Sequence, residues 1–369
     1  MSPPLPISSF VKSHLSRLNL VYPIIQAPMA GVSTPQLASI ISNAGALGSI
    51  GLGASTPSQA KQMILDTQKS LHKDKSFNVN LFVHQHPTSN SQINTRWINK
   101  LKPHFEQYGD QPPDQLNVIY KSFMDNAEMV DILLELSPPI ISFHFGLPSL
   151  EVLDKLKENG AILMTTATSL EEGRMIEKTG KVDYIIAQGW EAGGHRGIFN
   201  PLGEDQQLTT FVLTSLLIRK LNTPIIAAGG IMTGHHVRSY LDLGAVAVQL
   251  GTAFVGCDES SADQGYKDAL FSSKSEKTKM TRVISGRPAR SLVNKFTQLE
   301  DQLEQEGRVD IPDYPITYDA GKALHALAKF KGEYGYGAQW AGQGAPLARK
   351  MGAGDLLDVL VKELIGEGR

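Results

Sequence analysis

Short apolar runs alternate with longer helical segments along most of this sequence, and that alternation constrains its fold more than any other feature. Runs rich in β-branched residues predict eight strands, at 23–27, 46–50, 77–82, 140–145, 161–166, 184–188, 224–228 and 246–251. Periodic segments between them predict helices at 34–43, 56–71, 127–136, 149–159, 169–179, 209–221 and 234–243. Strands that alternate with helices imply right-handed crossovers and a parallel sheet.

Eight such units in roughly 250 residues favour a closed (β/α)8 barrel, the TIM barrel, over an open doubly wound sheet. Barrel enzymes keep their chemistry at the C-terminal ends of the strands. Polar residues stand at or near those predicted ends: Gln26, Asn80, His144, Thr165, Gln188 and Gln249. An open dinucleotide-binding sheet would need a G-x-G-x-x-G turn after the first strand, and none follows Gln26.

Two segments fall outside the alternation. Residues 84–114 are polar, contain several Asn, Gln and Pro residues, and predict a helical insertion after the third strand. Residues 280–369 predict a C-terminal extension that packs near the barrel mouth, so we divide the chain into a barrel domain at 1–279 and this extension. Its glycine-rich stretch 332–344, which contains Trp340, fits either a lid over the barrel mouth or a surface loop.

Composition excludes several classes of protein. The chain has 35 Lys and Arg residues against 37 Asp and Glu, so it offers no basic field to nucleic acid or to an anionic membrane surface. Cys257 is the only cysteine, which excludes intrachain disulfides and is typical of an intracellular protein. No apolar run is long enough to span a bilayer. We expect a small-molecule partner and either a monomer or a homodimer.

The first 20 residues indicate where in the cell the protein is expected. They carry Lys12, His14 and Arg17 and no acidic residue, as organelle transit peptides do. Prolines at positions 3, 4 and 6 and a single arginine fit poorly with the amphipathic helix of such a peptide. A plain N-terminal arm and a cytoplasmic location are therefore expected, with mitochondrial import as the weaker alternative.

The segment 187–197 reads Ala-Gln-Gly-Trp-Glu-Ala-Gly-Gly-His-Arg-Gly and opens at the end of a predicted strand. Glycine lets backbone approach a ligand closely, and histidine can move a proton near neutral pH. We therefore predict an active-site loop in which His195 is the functional residue. Glu191 and Arg196 are expected to form an ion pair that shapes the loop. For His144, lining the substrate pocket and plain packing both stay open.

A second glycine-rich constellation follows the seventh and eighth predicted strands. Gly229 and Gly230 follow the first of these strands, and Gln249, Gly251 and Thr252 lie at the end of the other. In many barrels the loops after these strands cradle a phosphate with backbone N–H groups. The phosphate of flavin mononucleotide (FMN) would suit this pocket. No metal site is expected, since the adjacent histidines at 235 and 236 point apart on a helix.

Several motifs resemble the nitronate monooxygenases, formerly called 2-nitropropane dioxygenases. The matching stretches within the barrel are Pro23–Gly31, Ser42–Gly48, Phe143–Pro148, Gly193–Gly197 and the region from Gly229 to Thr252. In the extension, Ile311–Pro315 and Trp340–Gln343 are also similar. The resemblance covers almost the whole chain, in order, and points to the first class of the family.

The resemblance implies an FMN-dependent monooxygenase that oxidises alkyl nitronates with O2 to a carbonyl compound and nitrite. Propionate 3-nitronate, a respiratory poison, is the implied substrate, and neutral nitroalkanes are a further option. His195 matches the catalytic histidine. The implied flavin contacts are Ala27, Pro28, Met29, Asn80, Gln188, Gly193, Gly229, Gly230, Gln249, Leu250, Gly251 and Thr252. An FMN enoyl-acyl carrier protein reductase that uses NAD(P)H is the alternative.

Nitronate chemistry allows two roles for His195. A nitronate is already a carbanion equivalent, so the flavin carries the difficult step and no base is needed. Protonated His195 could then pair with the charged nitro oxygens. A neutral nitroalkane must first lose its α-proton, and His195 could be the base that takes it.

Overall fold

The computed structural model describes residues 7–305, 307 and 310–367. Its strands are β1 (Ile24–Gln26), β2 (Gly48–Gly51), β3 (Phe77–Phe82), β4 (Ile140–His144), β5 (Ile162–Ala167), β6 (Tyr184–Gln188), β7 (Gly194–His195), β8 (Ile225–Ala228), β9 (Ala247–Leu250), β10 (Thr278–Thr281) and β11 (Ala289–Leu292). Its helices are α1 (Ser9–Leu18), α2 (Pro35–Asn43), α3 (Pro57–Ser70), α4 (Ser91–Glu106), α5 (Ala127–Leu136), α6 (Leu150–Glu158), α7 (Leu170–Lys178), α8 (Thr210–Lys220), α9 (Gly234–Leu243), α10 (Thr252–Val255), α11 (Gln264–Leu270), α12 (Lys295–Gln305), α13 (Ile316–Phe330) and α14 (Ala353–Ile365).

Eight parallel strands form the predicted TIM barrel, in the order β1, β9, β8, β6, β5, β4, β3 and β2. A short bridge closes the barrel between its two end strands. There the Gln26 amide donates to the Leu47 carbonyl at 2.8 Å, and the Leu47 amide donates to the Ile24 carbonyl at 3.0 Å. Every barrel strand starts and ends within two residues of its predicted bounds, which confirms the fold class.

Six of the outer helices begin at a Ser or Thr residue that caps the helix. At each of six helix starts a Ser or Thr side chain accepts a hydrogen bond from the backbone N–H three residues later. These residues are Thr34, Thr56, Ser149, Ser169, Thr209 and Thr233. Such N-caps satisfy amide groups that have no partner inside the helix. The sequence therefore specified the helix starts as closely as it did the strands.

The insertion and the extension share an apolar core beside the barrel. The predicted insertion at 84–114 contains helix α4, whose Trp97 and Leu101 are fully buried. They lie in one cluster with Phe296 of α12 and Leu324 of α13. Two segments that are distant in sequence thus form one layer at the mouth of the barrel.

The extension also completes the barrel itself. Helix α14, near the C-terminal end of the chain, packs between α9 and α2, where its Leu357 and Leu360 join the main barrel core. It occupies the outer position that follows the eighth barrel strand. The predicted division after residue 279 falls inside β10, which pairs with β11. The extension is therefore joined to the barrel by both sheet pairing and helix packing.

Helix α1 covers the opposite, N-terminal end of the barrel. Its Val11, Leu15 and Leu18 are buried in the main core, and His14 Nδ1 lies 3.2 Å from the Tyr184 hydroxyl. The expected plain arm is thus a packed helix over these residues, while the prolines at positions 3, 4 and 6 lie outside the described residues. Across the ranges described, no helix combines the length and apolar character needed to cross a membrane.

Candidate functional site

A cavity of about 880 Å³ opens at the C-terminal ends of the barrel strands, between the barrel and the extension. Predicted site residues that line it are Ala27, Pro28, Met29, Asn80, His144, Gln188, Gly193, His195, Gly229, Gly230, Gln249, Gly251 and Thr252. Leu250 is the exception. Its side chain is only 1% exposed and packs in the barrel core, while its carbonyl accepts a hydrogen bond from the Ala27 amide at 2.8 Å. Its side chain therefore does not reach a ligand in the cavity.

The loop that carries His195 is held by two polar side chains from barrel strands. The carbonyl of His195 accepts hydrogen bonds from Gln188 Nε2 at 3.0 Å and from His144 Nε2 at 3.2 Å. Gln188 Oε1 in turn accepts from the Gly197 amide at 2.7 Å. A Gln188 contact to a flavin is therefore left with the second proton on Nε2 or the second lone pair of Oε1. This clamp on the loop was not visible in the sequence.

The neighbours of His144 determine its tautomer. Because a carbonyl only accepts, the ring carries its proton on Nε2, and Nδ1 then accepts from the Thr166 hydroxyl at 3.0 Å. Burial is the main reason that the pKa of His144 is lowered to about 4. The ring is therefore neutral near pH 7, as this pattern requires. His144 both lines the cavity and anchors the loop of His195.

The ring of His195 lies in a cage of aromatic side chains. Its centroid is 5.1 Å from that of Trp340, 5.4 Å from Tyr314, 5.6 Å from Phe145 and 6.3 Å from Tyr318. Three of these four residues belong to the extension. The extension therefore forms the wall of the cavity that faces the histidine.

The cage also controls the charge of His195. Burial, followed by the nearby His144, Arg287 and His84, holds its pKa well below the usual 6.5. A neutral ring offers one acceptor and one donor nitrogen. This argues against the expected pairing of protonated His195 with nitro oxygens, but a neutral ring can still donate one N–H. The role of base needs only a neutral ring and is unaffected.

The expected ion pair between Glu191 and Arg196 is wrong. Arg196 pairs instead with Asp205, through Nε to Oδ2 at 2.8 Å and Nη2 to Oδ1 at 3.0 Å. Glu191 accepts hydrogen bonds from the Thr210 amide and hydroxyl at 2.8 and 2.9 Å. The loop folds back so that Asp205 reaches the buried guanidinium, and helix α8 presents its first amide to Glu191. Sequence spacing shows neither approach.

The glycine turns after β8 and β9 leave space for a ligand. Gly229 and Gly230 have φ angles of 122° and 69°, which side chains of L-residues rarely adopt. A Cβ at position 230 would lie 3.1 Å from Cβ of Glu191. A Cβ at Gly251 would meet only ordinary contacts, the nearest at 3.6 Å. Backbone, and not side chains, forms this part of the cavity wall.

Several polar groups near these turns have hydrogen-bond donors or acceptors that the protein does not use. The Thr252 hydroxyl accepts from the Gly342 amide at 3.0 Å, which leaves its proton free to donate. Gln249 Oε1 is buried and has no partner among the residues described. Asn80 donates its amide nitrogen to Ser142 Oγ at 2.9 Å, which leaves its carbonyl oxygen available. A buried polar atom without a partner is costly, so these groups fit a site built for a polar ligand.

The stretch 332–344 covers one side of the cavity. Its backbone packs so closely on the histidine loop that a Cβ at Gly193 would lie 2.4 Å from the Gly342 amide nitrogen. The Gln343 amide donates to the Glu191 carbonyl at 2.9 Å, and Trp340 lines the cavity. These contacts favour the interpretation of this stretch as a lid over the barrel mouth over its interpretation as a surface loop.

Sequence reasoning did not single out two aromatic residues of the site. Tyr314 and Tyr318 line the cavity, and the Tyr314 hydroxyl is buried with no hydrogen-bond partner within the described ranges. The available signal was the motif Ile311–Pro315, which contains Tyr314 but does not reveal which way its side chain points. Nothing in the sequence around Tyr318 indicates a site.

Known proteins match this chain over nearly its whole length. A family profile described as nitronate monooxygenase matches residues 12–363. A nitronate monooxygenase of Paraburkholderia phytofirmans is 50% identical over 95% of this chain and 94% of its own length. One from Pseudomonas aeruginosa is 44% identical over 95% and 98%. The crystal structure of nitroalkane oxidase from Streptomyces ansochromogenes superimposes with a TM-score of 0.84 at 34% identity, covering 96% of this chain and 97% of that one.

Proposed function

This chain belongs to the nitronate monooxygenase family, and from that premise we propose that it oxidises alkyl nitronates with O2 to a carbonyl compound and nitrite, using FMN. One observation carries the proposal. A single cavity joins glycine turns with unused polar groups on one side to a neutral, caged histidine on the other. Members of the family are flavin enzymes, and the first side fits the flavin while the second fits the substrate.

The residues present fit FMN. Gly230 and Gly251 leave room for the phosphate beside the backbone, and Thr252 has a proton to donate to it. Gln249 Oε1 needs a donor, and Asn80 offers its carbonyl oxygen. A flat ring system would lie against the wall formed by residues 27–29, as the predicted contacts require. When bound, FMN supplies the electron acceptor for the substrate carbanion.

In this proposal His195 is the residue that accepts the α-proton of the substrate. With a neutral nitroalkane, the free nitrogen of the ring takes the α-proton, and the C–H electron pair stays on the substrate as the nitronate. With a preformed nitronate, the same ring only donates a hydrogen bond. The aromatic cage keeps water away from the reacting carbon and keeps the ring neutral. His144 and Gln188 hold the loop so that the ring stays in place.

The cavity also contains a cation that fits an acidic substrate. Lys322 of α13 lines it and donates to the Tyr120 hydroxyl at 2.5 Å. Within the described ranges Lys322 has no carboxylate partner, whereas the neighbouring cavity lysine, Lys329, pairs with Asp263 at 3.0 Å. An ammonium without a carboxylate partner at a cavity wall attracts an anion. A nitronate that also carries a carboxylate, such as propionate 3-nitronate, satisfies it.

Oxygen uptake tests the proposed reaction. Purified protein should be yellow, release FMN on heat denaturation, and consume O2 with nitrite release when given freshly prepared propionate 3-nitronate. The alternative, an enoyl-acyl carrier protein reductase, predicts rapid anaerobic bleaching of the flavin by NADH. Fast bleaching without nitronate turnover would support that alternative, and a different released flavin would contradict the FMN assignment.

A further inference from the structure

Ser285 lies against the ring of His195 and, unlike His195, does not line the cavity. Its Oγ is 2.9 Å from His195 Nε2, and the serine is fully buried in the turn between β10 and β11. The other ring nitrogen, Nδ1, has no hydrogen-bond partner among the residues described, and the ring lines the cavity. His195 therefore gives one nitrogen to the protein and leaves the other for the substrate.

The serine hydroxyl can be satisfied in two ways. It holds one proton and can accept two hydrogen bonds. The carbonyl of Arg287 lies 3.2 Å from Ser285 Oγ, and the amide of Arg287 lies 3.4 Å from it. When the hydroxyl proton points to that carbonyl, Oγ accepts the proton of Nε2 and Nδ1 presents a lone pair. When it points to Nε2, Nδ1 carries the proton.

These two arrangements contain the same number of protons, so neither requires a charged ring. The ionisable groups that face His195 come from several elements: His144 of β4, His84 after β3, Arg287 of the β10–β11 turn, and Tyr314 and Tyr318 of the extension. None of them is a carboxylate. A carboxylate partner could only accept and would fix one tautomer, whereas a serine permits both.

We propose that Ser285 is a positioning residue that lets Nδ1 of His195 act as a proton acceptor toward neutral nitroalkanes and as an N–H donor toward nitronates. The inference rests on the proposed function. In the first case the α-proton moves to Nδ1, the electron pair of the C–H bond stays on carbon, and the ring becomes an imidazolium that still donates from Nε2 to Ser285. In the second case no proton moves.

The tautomers of His195 are directly measurable in the holoenzyme. Protein labelled with ¹⁵N-histidine gives Nδ1 and Nε2 chemical shifts, and the His195 signals are those that disappear in His195→Asn. We expect wild-type shifts that average both tautomers. Nitrate, a planar anion shaped like the nitronate head group, should move them toward the Nδ1–H form. A single tautomer that nitrate leaves unchanged would overturn the proposal.

Ser285→Ala removes the partner of Nε2. A buried N–H without an acceptor is unfavourable, so the ring should settle as the Nδ1–H tautomer. The kcat/KM for a neutral nitroalkane should then fall about tenfold, while that for a preformed nitronate stays within about twofold. The matched control is Ser291→Ala, because Ser291 is also fully buried and donates to the Gln339 carbonyl at 2.9 Å. That variant should leave the ratio of the two values unchanged.

The outcomes separate this inference from the function on which it rests. Equal loss on both substrates in Ser285→Ala, or no loss on either, would overturn the positioning role. A wild-type enzyme without nitronate turnover would refute the proposed function, yet its labelled spectra would still report the tautomers. If Ser285→Ala does not fold, the wild-type spectra with and without nitrate decide the question alone.

Discussion

The two sides of the cavity are built differently. The barrel side consists of short turns after strands, where glycines at 229, 230 and 251 expose backbone. The side that faces His195 consists of large side chains, Tyr314, Tyr318 and Trp340, brought from the extension. One side offers backbone and polar groups around small glycine turns, and the other offers large aromatic side chains packed around the histidine.

This difference separates two tasks. Barrel turns of this kind follow directly from the strand order, so they can hold a phosphate with few specific side chains. Proton transfer needs a histidine with a controlled charge and tautomer, and that control comes from side chains outside the barrel strands. Ser285, for example, lies ninety residues beyond His195 in the chain. We infer that the barrel side holds the cofactor and that the extension determines the substrate and its protonation.

The largest expected effect lies on the barrel side. Gly230→Val should abolish flavin retention, because a side chain there meets Glu191 and fills space that the phosphate needs. The flavin absorbance of the purified variant measures this. Full FMN occupancy would contradict the assignment of this turn as the phosphate site.

A matched control separates lost space from backbone strain. Gly160 also has a positive φ, 88°, but a Cβ there would meet nothing within 4 Å, and it lies before β5 at the other end of the barrel. Gly160→Val should lower the free energy of unfolding by about 1–2 kcal/mol and leave flavin content unchanged. Equal flavin loss in both variants would show that strain alone explains the effect.

At the histidine that the extension faces, His195→Asn should have the next largest effect. Loss of the base should lower activity on a neutral nitroalkane by about 10²-fold or more, with flavin content and most nitronate activity retained. Because burial holds the pKa of His195 well below 6.5, wild-type activity on the neutral substrate should stay level as the pH falls through 6.5. Oxygen uptake with each substrate measures both. Equal loss on both substrates would indicate anion binding or loop structure instead.

The barrel side was predicted well because the signals that specify it lie close together in the sequence. Strands that are buried on both faces need continuous apolar runs, and N-capping hydroxyls mark the helix starts, so both signals lie within a few residues. The glycines at 229 and 230 follow a strand directly, so their place at the cavity follows from the fold. Helix α1 was missed because the prolines before it argued against a helix.

The extension side could not be predicted because its contacts join distant segments. Strand β7 has only two residues and exists because β11 pairs with it. Ser285 lies in a stretch with no periodicity that would distinguish it from any buried serine. The wrong partner given to Arg196 has the same cause, since a loop fold brought Asp205 to it. Family motifs identified segments there but not which side chains reach the cavity.

Removal of the Tyr314 hydroxyl tests whether the aromatic cage around His195 binds the substrate, and a second tyrosine serves as the control. Tyr314 has an unpartnered buried hydroxyl within the described part of the chain, so Tyr314→Phe should not lower stability. If that hydroxyl binds the nitro group, KM for a nitronate should rise about tenfold. The control is Tyr336→Phe, since the Tyr336 hydroxyl lies 2.9 Å from His104 Nδ1. It should lower the free energy of unfolding by about 1 kcal/mol with KM unchanged. If Tyr314→Phe lowers stability and leaves KM unchanged, Tyr314 does not bind the substrate.

The smallest expected effect concerns substrate charge. Lys322→Gln removes the cavity ammonium that has no carboxylate partner in the described ranges, so KM for propionate 3-nitronate should rise about fivefold, near the upper limit for an exposed charge pair. KM for ethyl nitronate, which lacks the carboxylate, should change little. Added salt should weaken the wild-type preference for the acidic substrate, because it screens the pair. Lys329→Gln is the control, since Asp263 already neutralises that lysine. An equal rise for both nitronates in Lys322→Gln would mean that Lys322 acts on the nitro group or on the shape of the cavity, and the extension would then not select substrates by charge.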